Sequence, residues 1–192
     1  MRLRICRTDG RTGNYVQEDS RRVHMLAQRL NPQKLFCSGP IVIGVLNPFS
    51  VLNPDEVCWV EVEEGTADMS RVLPPHVEQV RRLSGRPEYE EVLARQWPRW
   101  RSRAKSSPGD LLEALVELSF RGGAMLYLHV TGTVEHQSLS ELVFGQPAIT
   151  ATFEPGGIVY ANPKCVARAR VYHSMTEVPY PQGLWCAEAD DI

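Results

Sequence analysis

The residues best suited to chemistry stand between 95 and 105: Arg95-Gln-Trp97-Pro-Arg99-Trp100-Arg101-Ser-Arg103-Ala-Lys105. Five cations and two tryptophans fall there with no acid among them. Cations neutralise phosphates and tryptophans stack on bases, so the stretch suits RNA or single-stranded DNA. It suits an acidic protein surface equally, because Trp and Arg are the usual interface anchors. A plain helix end is the third reading, since cations favour a helix C-terminus. Trp97 continues an apolar stripe with Tyr89, Val92 and Leu93, so it reads as buried. Trp100 lies beyond Pro98 and reads as the exposed anchor. The candidate binding residues are therefore Arg95, Arg99, Trp100, Arg101, Arg103 and Lys105, with Arg2, Arg4, Arg7 and Arg11 as a secondary basic group.

Catalytic residue types are sparser. His129 and His136 lie seven apart, with Glu135 beside the second, and could serve as base and orienter. The plainer reading puts His129 on the polar face of a strand and His136 in a turn. Cys37, before Ser38-Gly39-Pro40, is a candidate nucleophile whose activating partner the sequence does not name. Glu61, Glu63, Glu64 and Asp68 form an acidic cluster, but their spacing matches no calcium loop. No nucleophile elbow, phosphate loop or dinucleotide turn occurs. The cysteines are Cys6, Cys37, Cys58, Cys165 and Cys186: an odd number, with no zinc spacing. These patterns call for no cofactor and no metal, and buried, reduced thiols of a cytoplasmic protein fit best.

Composition bounds the partners. The net charge of −2 excludes a uniformly basic coat while allowing a local basic patch. With 192 residues, 43% of them hydrophobic, the chain can bury its own core. The start MRLRICRTDG has no apolar stretch of the signal-peptide kind, so no secretory leader is expected. The longest apolar run, 41–46, is far too short to span a bilayer, so no membrane partner is expected.

The elements that must position these residues fall into two β-rich parts around a helical middle. Residues 2–7 alternate as a strand, followed by a turn at Thr8-Asp9-Gly10. Glu18-Asp19-Ser20 opens a helix with Val23, Leu26, Ala27 and Leu30 on one face, ended by Asn31-Pro32. Strands follow over 41–45 and 57–62. Between 75 and 121 the spacing predicts helices. Val77, Val80 and Leu83 share a face; Pro87 opens a second helix that Pro98 ends. Ser107-Pro108-Gly109-Asp110 caps a third with Leu111, Leu112, Leu115 and Leu118 inward. Strands are expected at 126–131, 148–153, 157–161 and 166–172, with a short helix near 139–143 and a surface tail from 179.

Leu35 to Gly44 aligns with Leu142 to Ala151 at leucine, proline and an apolar run. Asn53-Pro54 and Asn162-Pro163 follow at similar distances, each with valines at matching offsets. The fold class expected is α+β, with two small, duplicated strand–helix–strand–strand units flanking a helical insertion. The parts are 1–66, 75–121, 124–178 and the tail 179–192. Missing catalytic patterns point to a non-catalytic cytosolic binding or adaptor protein that works through protein contacts, self-association included. The alternatives are a nucleic-acid-associated protein using 95–105, and an enzyme using His129, Glu135 and His136.

Overall fold

Alternation in Arg2–Arg7 makes β1, and Asp9-Gly10 turns the chain into β2 (Thr12–Val16). Asp19 caps α1 (Ser20–Arg29) by accepting from the backbone N–H groups of Arg21 and Arg22. Asn31 caps the single turn α2 (Pro32–Leu35). The hairpin β3 (Ile41–Ile43) and β4 (Ser50–Leu52) leads through a 3-10 turn into β5 (Val57–Glu63). Then come β6 (Val77–Arg82), α3 (Arg86–Arg101), β7 (Leu111–Phe120), β8 (Met125–Thr133), β9 (Ile149–Phe153), β10 (Gly157–Ala161) and β11 (Val166–His173). The computed structural model describes residues 1–37, 39–43, 49–63, 73–74, 76–102, 110–133, 143 and 145–174. The expected tail, the turn at 47–48, the cap at 107–109 and most of the helix near 139–143 lie outside them.

Among the described residues, nine strands form one mixed sheet in the order β2-β1-β5-β10-β9-β6-β8-β7-β11. Every pairing is antiparallel except β6 beside β9. The expected pair of separate sheet units is thus one continuous sheet, joined where β10 pairs with β5 and β6 with β9. The sheet curls on itself. Trp59 of β5 meets Phe120 of β7 at 5.2 Å between ring centroids, although four strands lie between them in the sheet order. Val80, Val116, Leu118, Leu128, Val130, Ile149 and Val159 fill the inner face. Outside, α1, α2 and the β3–β4 hairpin cover Leu3, Ile5, Val60, Val62 and Ile158 at one end. Helix α3 covers Leu115 and Tyr127 at the other.

The helical middle is corrected at two places. Residues 77–82 are a strand, not a helix. A register shift between Val77 and Gln79 makes a bulge, so both Val77 and Val80 face inward three residues apart, which mimics helical spacing. Residues 111–120 are also a strand. Leu112, Ala114, Val116, Leu118 and Phe120 alternate inward, while Leu115 packs under α3. A strand buried on both faces reads as a nearly continuous apolar run, and its leucines happen to fit a helical stripe. Only the middle helix stands, and Pro98 does not end it: α3 runs on to Arg101.

Two 3-10 turns, Pro54–Glu56 and Pro163–Cys165, meet. Asn53 and Asn162 each accept from the backbone N–H two residues on, at 3.2 and 3.1 Å. Asn162, fully buried, donates to the Pro54 carbonyl at 3.0 Å and the Val57 carbonyl at 3.2 Å. Arg121 donates to the Asp55 carbonyl at 3.1 Å. Similar backbone bonds occur around the β1–β2 and β7–β8 turns; the duplication expected of 1–66 and 124–178 is not confirmed by them. Gly10 N–H reaches Arg7 O as Gly123 N–H reaches Phe120 O, each 3.0 Å. Thr8 N–H reaches Glu56 O at 3.0 Å, as Arg121 N–H reaches Cys165 O at 2.9 Å. At both places a strand leaves the 3-10 turn, skips the hairpin just before it, and pairs with the first strand of the earlier one: β5 with β1, and β11 with β7. The halves also differ, because β3–β4 is a sheet of its own and β9–β10 lies within the large one.

Candidate functional site

The basic aromatic segment sits on the last turns of α3. Arg95, Arg99 and Arg101 are exposed there. Trp100 is buried with Leu83, Tyr89, Val92, Leu115 and Tyr127, so it cannot stack on a base. Trp97 is the more open of the two. It packs edge-on to Tyr172 at 5.2 Å, with the Arg101 guanidinium 6.0 Å from its ring centre. The expected order of burial is therefore reversed. Pro98 leaves the helix unbroken, and residue 100 follows 92 at two helical turns while 97 turns aside. Arg103 and Lys105 lie outside the described residues.

The other candidates are mostly engaged. Arg2, Arg4, Arg7 and Arg11 pair with Glu63, Glu61, Asp9 and Asp9. His129 on β8 lies 3.0 Å from the Glu113 carboxylate, which also accepts from Gln96 of α3 at 3.3 Å. These three tie helix to sheet; Glu135 and His136 lie outside the described residues. Glu61 is buried, 2.7 Å from Arg82, and accepts from the Trp59 indole at 2.8 Å. It is a satisfied core charge rather than a cation ligand. Glu64 and Asp68 lie outside the described residues, among which no three metal-capable groups converge. Cys37 is exposed at the end of α2. Burial pushes the Cys165 thiol up, with Arg121 opposing. The Cys58 thiol is pushed up first by its hydrogen bond with Cys6, then by burial. A raised thiol stays protonated at neutral pH and is a poor nucleophile. Among the described residues no helix is long and apolar enough to cross a membrane.

Sequence reading missed the open edge of the sheet at β2. Its segment, Thr12-Gly-Asn-Tyr-Val16, carries glycine and asparagine, which strands disfavour. The signal was present in Asp9-Gly10, a hairpin dipeptide that demands a returning strand. Met1 and Gln17 exchange both backbone bonds at 3.0 Å, and Arg7 N–H reaches Arg11 O at 3.0 Å. Paired residues alternate between bonded and non-bonded along an antiparallel ladder. Gly13 and Tyr15 therefore bond to β1, while Thr12, Asn14 and Val16 turn their N–H and C=O groups outward. No described strand pairs with them there.

Beside this edge runs an open groove of about 650 Å³. Leu3, Tyr15, Met25, Leu26, Val42 and Ile43 give it apolar walls. Val16, Met25 and Val42 are more than half exposed, and Val51, paired with Val42, extends the apolar surface. Arg22 lines the groove and Arg21 precedes it on α1. The opposite edge, β11, carries Arg168 and Arg170, charges of the kind that discourage strand addition. The strand β2 carries none. No protein-family model, curated protein or solved structure matches this chain.

Proposed function

We propose that this is a non-catalytic, cytosolic protein-binding module whose working surface is the β2 edge and the groove beside it. The observation that carries the reading is the outward row of backbone groups at Thr12, Asn14 and Val16, running along an apolar groove. Edge addition draws affinity from main-chain bonds and specificity from pockets for alternate side chains. Both parts are present in one place. The module is built from two related units, each a hairpin, a second hairpin, an asparagine-capped turn and a returning strand. The recurring turn bonds support that descent.

The test is selection from a displayed library of random linear peptides, with Asn14→Pro as counter-variant. Proline at 14 deletes one outward N–H and sets a ring on the edge, yet takes no bond from β1. Wild type is expected to enrich peptides that Asn14→Pro no longer binds, with its far-UV circular dichroism unchanged. Enriched peptides indifferent to Asn14→Pro, or no enrichment at all, overturn the proposal.

A further inference from the structure

We infer that the edge takes an extended acidic peptide, added as a further strand, with apolar side chains at alternate positions entering the groove and carboxylates meeting Arg22 in its wall and the neighbouring Arg21. The inference rests on the edge-binding reading and adds the chemistry of the partner. Period-two alternation sends every second side chain of an added strand to one face. The side chains on the Tyr15 face would lie against Met25, Leu26, Val42 and Ile43. That face suits leucine or valine, which bury apolar surface against these residues. A strand of ordinary length, about six residues, matches β2.

Charge selects the partner's sign. No carboxylate among the described residues pairs with Arg21 or Arg22, and both side chains are exposed. Asp19, two residues before Arg21, is taken up by the helix cap. From residue 12 to residue 29 the cations Arg21, Arg22 and Arg29 outnumber the acids Glu18 and Asp19. The same charges argue against a second copy of this chain. Two β2 edges pairing would bring Arg21 and Arg22 of both copies, and no acidic strand, to the seam. A basic peptide meets the same repulsion.

The experiment uses a capped peptide of about six residues alternating leucine with glutamate, and its counterpart with lysine for glutamate, titrated into the full chain by fluorescence anisotropy. The glutamate peptide is expected to bind and the lysine peptide to bind at least about tenfold more weakly. Arg21→Ala with Arg22→Ala is expected to weaken the glutamate peptide about two- to tenfold, as for exposed ion pairs. Higher salt is expected to weaken it too. Asn14→Pro abolishes binding. Val42→Glu, at an exposed groove position, weakens it without bearing on the edge or the fold.

Equal binding of both peptides, still abolished by Asn14→Pro, overturns the acidic assignment and leaves edge binding standing. Glutamate-peptide binding that survives Asn14→Pro but not loss of the arginines is charge contact without strand addition, and overturns both readings. Binding of neither peptide, while the library yields other edge-dependent ligands, overturns the partner chemistry alone. A dimer in light scattering that Asn14→Pro dissolves makes a second copy the occupant and overturns the inference.

Discussion

Trp100→Ala lowers the unfolding free energy by about 3–5 kcal/mol, the usual cost of emptying a core tryptophan site. Trp100 is 6% exposed and shares a cluster with Leu83, Tyr89, Val92, Leu115 and Tyr127. Its indole fixes the last turn of α3 onto the outer face of the sheet. Urea denaturation gives the value from the midpoint and slope. Any affinity of the variant for single-stranded RNA or DNA is expected to equal that of the wild type, because a buried ring offers no stacking surface. A stability loss below about 0.5 kcal/mol, the surface range, puts the side chain outside the core. A loss of nucleic-acid affinity with stability intact restores the stacking role read from the sequence.

Gly122→Ala destabilises by about 2–5 kcal/mol, combining the left-handed backbone cost with forced overpacking. Gly122 has φ +84°, and a Cβ there would stand 1.6 Å from the Thr8 carbonyl oxygen. That oxygen is backbone of the other half, in the turn joining β1 to β2. The methyl cannot fit until the two turns part. Parting them loosens the bond from the neighbouring Arg121 to the Asp55 carbonyl. Gly123 is the control: its φ is +86° but nothing lies within 4 Å of its Cβ position. Gly123→Ala carries only the backbone cost of about 1–2 kcal/mol. Thermal unfolding of the two variants compares them directly. Equal losses mean that the halves do not press together at Thr8.

Local signals were legible where one principle acted alone. Glu18-Asp19-Ser20 before Val23, Leu26 and Leu30 marked the start and the apolar face of α1. Asn53-Pro54 and Asn162-Pro163 marked the two turns, because an asparagine side chain bonds two residues on whatever the context. Strands β9, β10 and β11 stood out between proline and glycine punctuation. Residues 111–120 failed because burial on two faces erases alternation and leaves leucine spacing that fits either period. Residues 77–82 failed because a bulge shifts the period by one. Trp100 was misplaced by giving Pro98 the power to stop a helix held by tertiary packing. The candidate edge was least legible. A strand's outward row is set by its register with β1, and register depends on pairs such as Met1 with Gln17 that no local pattern encodes.

The central claim is that β2 is an open edge that a partner strand closes. Residue-resolved amide hydrogen exchange tests it most directly, measured on the free chain and on the chain saturated with the alternating leucine–glutamate peptide. In the free protein the amides of Thr12, Asn14 and Val16 are expected to exchange fast, with Gly13 and Tyr15 protected by β1. On saturation, Asn14 and at least one of its outward neighbours slow by about tenfold or more, while Arg95, Arg99 and Arg101 on α3 do not change. Outward amides already protected in the free chain contradict the open edge. Protection that appears at α3 and not at β2 moves the working surface to the arginine-bearing helix and contradicts the account.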